Sequence, residues 1–179
     1  MFPHVRWLLP ALVIGLLASA TAPAGAQDPA SLRPAVAARY PDVRWVGTAE
    51  LARWIAAERG PRVVLLDARA AAEHRVSHLR GAVRVELDGF DAASVRLPRD
   101  ARIVVYCSVG WRSAAVAESL RRAGFTHVHN LEGGIFAWAN EGRPVYRGGS
   151  RVRDVHPFDR VWGRFLRQNP TGSEPGSGR

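Results

Sequence analysis

From Val43 onward, short apolar and β-branched runs alternate with segments whose apolar positions recur at helical intervals. Val43 to Val46, Arg62-Val-Val-Leu-Leu66, Ala82 to Val85, Ile103-Val-Val-Tyr106 and His127 to Leu131 read as strands bounded by polar or glycine-containing turns. Between the first two, Thr48 is placed to cap a helix that carries Leu51, Trp54 and Ile55 inward and ends at Gly60. Ser113 to Arg122 repeats the spacing through Val116 and Leu120, continuing to Ala123, and Gly133-Gly134 opens a short helix through Trp138. Strands that alternate with helices in this order predict an α/β fold, a central mostly parallel sheet with helices on both faces. No internal repeat is visible.

The flanks follow other patterns. His4 and Arg6 precede an apolar stretch from Trp7 to Ala18, and Ala24-Gly25-Ala26 forms a small-residue cleavage site before Gln27. This predicts a signal peptide over 1–26 and an exported chain, periplasmic in a Gram-negative cell. The apolar stretch is too short to span a bilayer and is interrupted by Pro10. Residues 27–39 read as a polar leader and 40–147 as the domain. In the extension 148–168, Phe158, Val161, Trp162 and Phe165 fall on one helical face and Arg160, Arg164 and Arg167 on the other. That pattern predicts a basic amphipathic helix, docked on the domain or lying on a membrane surface or protein partner. The Gly-, Ser- and Pro-rich stretch 169–179 is expected to be a disordered tail.

Composition narrows the partners. The formal charge of +9 comes from arginine, since the chain has no lysine. The arginines are interspersed with acidic residues and accompany no nucleic-acid motif, so no nucleic-acid partner is expected. His127 and His129 share a strand face by alternation, but no further ligands stand at metal spacing, and no metal or organic cofactor is expected.

The chemistry converges on Cys107, the only cysteine. A lone cysteine in an exported chain makes no intrachain disulfide, so its thiol is protected, paired with another molecule or used. Cys107 opens a strand-to-helix loop in which Gly110 permits a tight curl. Backbone N–H groups left unpaired at the helix start can then ring the sulfur and any anion beside it. A helix N-terminus and a neighbouring guanidinium both favour the thiolate. The competing reading is a small buried hydrophobe at a strand end.

Four separated motifs carry a resemblance: Val64-Leu-Leu-Asp67-Ala-Arg69, then Glu73 with His78-Leu-Arg-Gly81-Ala82, Cys107-Ser-Val-Gly-Trp-Arg112-Ser113, and Asn130-Leu-Glu-Gly-Gly134-Ile-Phe-Ala-Trp138. In order and spacing, from about Val43 to Val145, the chain resembles a single-domain rhodanese, a sulfurtransferase-like module. The resemblance implies that Cys107 carries a persulfide taken from a sulfur-containing anion or persulfide donor and passed to a thiol or cyanide-like acceptor. It implies a cradle of amides from Ser108 to Arg112, with Arg112 closing the loop. Asp67 and Ser113 are implied as supporting residues, and Arg69 either supports the loops or reaches the anion. Ser108 stands where relatives that handle thiosulfate often have a basic residue, and Val109 is apolar, so the donor stays open. Trp111 offers a stacking surface to an organic persulfide or protein partner.

Two alternatives accompany this reading. One is a non-catalytic module that binds partners or senses oxidants through Cys107. The other, less favoured, is a phosphatase or arsenate reductase of the same fold. Those relatives have a loop one residue longer with arginine one place later, where this chain has Ser113.

Overall fold

The computed structural model of the protein describes residues 27–57 and 59–167. The expected signal peptide and the expected tail 169–179 lie outside the described residues.

Five strands form one parallel sheet: β1 (Arg44–Val46), β2 (Val63–Asp67), β3 (Val83–Arg84), β4 (Arg102–Tyr106) and β5 (His127–Leu131), in the order β1-β5-β4-β2-β3. The linking helices are α2 (Thr48–Ala56), α3 (Ala71–Val76) and α4 (Trp111–Arg122), with α1 (Arg33–Arg39) before β1 and α5 (Gly134–Asn140) after β5. Alternation along the strands divides the core. Leu65, Val104, Tyr106 and Leu131 face Leu51 of α2 and Ile135, Phe136 and Trp138 of α5. Leu66, Ile103, Val105 and Val128 face Val116, Ala117 and Leu120 of α4. Side chains of adjacent strand residues point to opposite faces, so the runs that are apolar throughout belong to a sheet covered on both sides.

The chain leaves β2 through α3 toward β3 and leaves β4 through α4 toward β5, in opposite directions. The carboxyl ends of the adjacent strands β2 and β4 therefore form the topological switch point, where open α/β sheets place their ligands. Asp67 and Tyr106 are paired across that edge, and Cys107 follows immediately.

Several expectations are corrected. The helix expected to end at Gly60, α2, ends at Ala56, leaves Ile55 exposed and is preceded by Gly47 as its cap; the Thr48 hydroxyl instead donates to the Glu141 carboxylate at 2.6 Å. The segment 27–39 is an ordered part of the domain. The Asp28 carboxylate caps a 3₁₀ turn at Pro29–Leu32, and α1 then buries Val36. The amphipathic helix expected from His156 to Arg167 does not form. After an antiparallel pair, β6 (Val145–Arg147) and β7 (Ser150–Val152), the chain runs on as an irregular segment to a 3₁₀ turn at Trp162–Phe165. Pro157 and Gly163 interrupt any helix there, because proline removes a donor and glycine carries a high entropic cost. Of the expected apolar face, Phe165 is buried and Trp162 packs against the core, joined there by Val155 and Leu166, whereas Phe158 and Val161 stay exposed.

Candidate active site

Cys107 is buried at the carboxyl end of β4, 1% exposed, and the loop it opens curls back on the sulfur. Gly110 has φ +100°, a left-handed conformation that side-chain-bearing residues rarely adopt, and its N–H donates to Cys107 Sγ at 3.2 Å. The loop carbonyls are tied on the other side. Cys107 O accepts from the Ile135 N–H (2.9 Å), Ser108 O from the Phe136 N–H (3.1 Å), and Gly110 O from Asn130 Nδ2 (2.7 Å). In a trans peptide the following N–H points opposite the carbonyl, so the amides of Ser108, Val109 and Trp111 face away from α5 and Asn130. Trp111 and Arg112 begin α4, where the first amides have no acceptor within the helix. The result is a loop with the Gly110 amide on the sulfur and its untied amides turned away from the bracing elements.

α5 sets this geometry by its closeness. Gly134 has φ +57°, and a β-carbon there would stand 2.5 Å from the Ser108 carbonyl oxygen. Only glycine lets the start of α5 approach near enough to bond both carbonyls. Asn130 completes the bracing, its Oδ1 accepting from the buried Ser113 hydroxyl at 2.7 Å.

Arg112 is held by Glu73. The guanidinium donates to both carboxylate oxygens, at 2.7 and 2.8 Å, and to the Ser108 hydroxyl oxygen at 2.9 Å, while Ser108 Oγ donates to Glu73 Oε1 at 3.0 Å. Glu73 also accepts from the Ala70 N–H at 3.0 Å. Burial acts to raise the Glu73 pKa, but Arg112 and these other donors hold the carboxyl below its ordinary value. Burial likewise acts to lower the Arg112 pKa, which the bonds to Glu73 and the charge Cys107 carries when ionised keep above the ordinary guanidinium value. This charge-assisted pair fixes the first turn of α4 to α3.

Asp67 and Arg69 form a second buried pair beneath the loop. Arg69 Nη2 lies 2.7 Å from Asp67 Oδ2 and 2.6 Å from the Ser77 carbonyl oxygen. The Tyr106 hydroxyl donates to Asp67 Oδ2 at 2.8 Å and accepts from the Leu79 N–H at 3.1 Å. Burial and the adjacent Asp67 keep the Tyr106 pKa well above its ordinary value, so the phenol remains a donor. The Arg69 side chain has no exposed surface, and these bonds pin the strand ends beside Cys107. The Arg69 guanidinium is thus tied to Asp67 and to the Ser77 carbonyl within the core, with its Nη1 left without a partner.

Of the residues singled out from sequence, Cys107, Ser108, Gly110, Arg112 and Ser113 come together in this loop. The Val109 side chain turns into the core, and Trp111 stays 43% exposed. The carbonyl ties made by Asn130, Ile135 and Phe136 were not readable from the sequence. Neither was the contact of Phe158 with the site, its ring centroid lying 4.6 Å from the Arg112 guanidinium carbon.

The rhodanese-like domain family matches residues 48–141, which contain the whole Cys107 loop and its braces from α3, β5 and α5. The chain belongs to the rhodanese-like family. It is 34% identical over 83 residues to a sulfurtransferase of Allochromatium vinosum, covering 46% of this chain and 78% of that protein. It is 33% identical over 97 residues to a probable adenylyltransferase/sulfurtransferase of Mycobacterium tuberculosis, covering 53% of this chain and 24% of that protein. A thiosulfate sulfurtransferase from Pseudomonas aeruginosa matches with a TM-score of 0.53 and 26% identity, over 63% of this chain and 21% of that one. The chain thus spans about a quarter of the mycobacterial relative and a fifth of the Pseudomonas protein. Phe158 and the docked C-terminal segment lie beyond the residues that match the family.

Proposed function

We propose that this protein is an exported sulfurtransferase that moves a sulfane sulfur through a persulfide on Cys107. The observation that carries the reading is the Gly110 N–H held 3.2 Å from Cys107 Sγ, in a loop whose carbonyls are tied outward. Preorganised amides of this kind stabilise developing negative charge without having to reorient. In the proposed first half-reaction the Cys107 thiolate attacks the outer sulfur of a donor such as thiosulfate. The donor S–S bond breaks, sulfite leaves with the bonding electron pair, and the terminal sulfur of the new persulfide carries the negative charge toward the loop amides. An acceptor such as cyanide or a thiolate then attacks that terminal sulfur and regenerates the Cys107 thiolate. Arg112 and Glu73 hold the loop shape through both steps, and Asp67 and Arg69 support the strand ends. The exposed Trp111 is suited to contact an organic donor or a protein acceptor. Export to the periplasm rests on the pattern of residues 1–26.

The test is sulfur transfer from thiosulfate to cyanide by the mature protein, alongside Cys107→Ala, with mass spectrometry of the enzyme after donor alone. Turnover and one added sulfur atom are expected in the wild type, and both are expected to vanish in C107A. One stoichiometric modification that no added thiol or cyanide can discharge would favour the non-catalytic sensor instead.

A further inference from the structure

The C-terminal segment approaches the site at one residue. Phe158 lies with its ring centroid 4.6 Å from the Arg112 guanidinium carbon, while that guanidinium's nitrogens bond Glu73 and Ser108. A cation over an aromatic face is attracted by the ring's negative quadrupole, which adds a second restraint to those hydrogen bonds. Phe158 is also the only residue other than glycine with a positive φ among the described residues, at +68°. A bulky aromatic side chain is strained in that region, and such strain persists only where the surroundings impose it.

The surroundings do so on both sides. Before Phe158, the Ser77 hydroxyl donates to the Asp154 carbonyl oxygen and Val155 is buried in the core. His156 Nδ1 accepts from the Phe158 N–H at 3.0 Å. After it, the Asp159 carboxylate accepts from the amides of Val161 and Trp162, Phe165 and Leu166 are buried, and Asn140 bonds both the Phe165 carbonyl and the Arg167 N–H. The segment is fixed at each end, and its strained residue is the one that meets the active-site arginine.

We propose that Phe158 is a positioning residue of the Cys107 site, acting through Arg112. Its ring keeps the guanidinium in the plane that grips Glu73 and Ser108, so the segment beyond the family-matched domain is part of the working site. The effect on turnover rests on the sulfurtransferase reading, whereas the effect on the Cys107 environment does not.

Three variants of the full chain separate ring, bulk and strain. Phe158→Tyr keeps the aromatic face, Phe158→Leu keeps bulk without it, and Phe158→Gly removes the ring while relieving the positive φ. With thiosulfate and cyanide, F158L and F158G are expected to lose about fivefold or more in kcat with donor KM changed less than twofold. F158Y is expected to stay within about twofold of wild type. A purely structural Phe158 would instead give activity that follows thermal stability, with F158G at wild-type activity if its fold is as stable. Alkylation of Cys107 by iodoacetamide reads the same restraint without turnover, because the chain has no other cysteine. The expected result is a rate about threefold lower in F158L and F158G and unchanged in F158Y. Equal alkylation rates in all four proteins would overturn the proposal whether or not the wild type transfers sulfur. Absence of turnover in the wild type with the expected alkylation pattern would overturn the sulfurtransferase reading and leave the role of Phe158 supported.

Discussion

Replacing Glu73 with glutamine keeps the side-chain shape but removes the charge that Arg112 grips through both nitrogens. The carboxylate is almost wholly buried and the guanidinium only 22% exposed, so E73Q leaves a cation largely out of water without its partner. Breaking a buried pair in this way costs about 3 kcal/mol, which urea unfolding at neutral pH will read directly. The pH dependence follows from the lowered Glu73 pKa. Its contribution to stability is fully present above the ordinary carboxyl value of 4.5 and is lost as pH falls through the lower folded value. The unfolding midpoints of wild type and E73Q are therefore expected to converge in acid, and a constant gap across that range would contradict the assignment. At this scale the sequence was informative about which residues matter and less so about what they touch. Cys107, Gly110 and Arg112 were legible because a strand, a glycine and a helix start fall within a few consecutive residues. Asn130 lies within one of the four motifs, yet its bond to the Gly110 carbonyl spans 20 positions and depends on the register of β4 against β5, which no local pattern encodes.

At the level of elements, the start of α5 and the Cys107 loop behave as one unit, because two amides of the helix bond two carbonyls of the loop. Gly134→Ala tests that unit. The added methyl would drive against the Cys107 and Ser108 carbonyls and would also occupy a positive φ. Gly124→Ala is the control, since Gly124 has φ +91° but nothing within 4 Å of a β-carbon. Both variants are expected to lose about 1 kcal/mol or more from strain alone. Only G134A is expected to lose a further ~1–3 kcal/mol from overpacking, together with most of the sulfur-transfer activity. Equal denaturation midpoints and equal activities in the two variants would show that α5 does not set the loop. β2, β4, β5 and α4 were legible because each buries a run or stripe with a clear period. The short α3 was not, since its six residues hold a single buried side chain, Glu73, and present no apolar stripe. The C-terminal extension has the apolar spacing of a helix, but Pro157 and the left-handed Phe158 show that backbone constraints override that spacing here.

For the molecule as a whole, both flanks of the family domain are structural. Pro29 packs beside Gly133, the Gln27 N–H lies 3.3 Å from the Arg164 carbonyl oxygen, and the C-terminal segment closes over α5. Cleavage before Gln27 would retain these contacts. The mature protein recovered from the periplasm of an expressing Gram-negative cell is accordingly expected to begin at Gln27, and N-terminal sequencing will show whether it does. The other flank is tested by length. A chain ending at Arg167 keeps every contact described, whereas one ending at Val152 uncovers the core that Val155, Phe165 and Leu166 bury. Each of those side chains is worth about 1.5–3 kcal/mol when fully buried, and much of the sum is offset by the entropy of ordering the segment that carries them. A net loss of about 2 kcal/mol or more is expected for the shorter chain, measured as a lower urea midpoint than that of the chain ending at Arg167. The same apolar residues cannot serve a membrane surface while they fill the core. Vesicle binding by the intact protein should therefore be weak, and should depend on the exposed Phe158 and Val161 rather than on Phe165 or Leu166. If the two truncated chains unfold at the same midpoint, the segment is an appendage and the core is complete without it. If the shorter chain is less stable, the folding unit is larger than the family-matched 48–141, and the residue that meets Arg112 belongs to it.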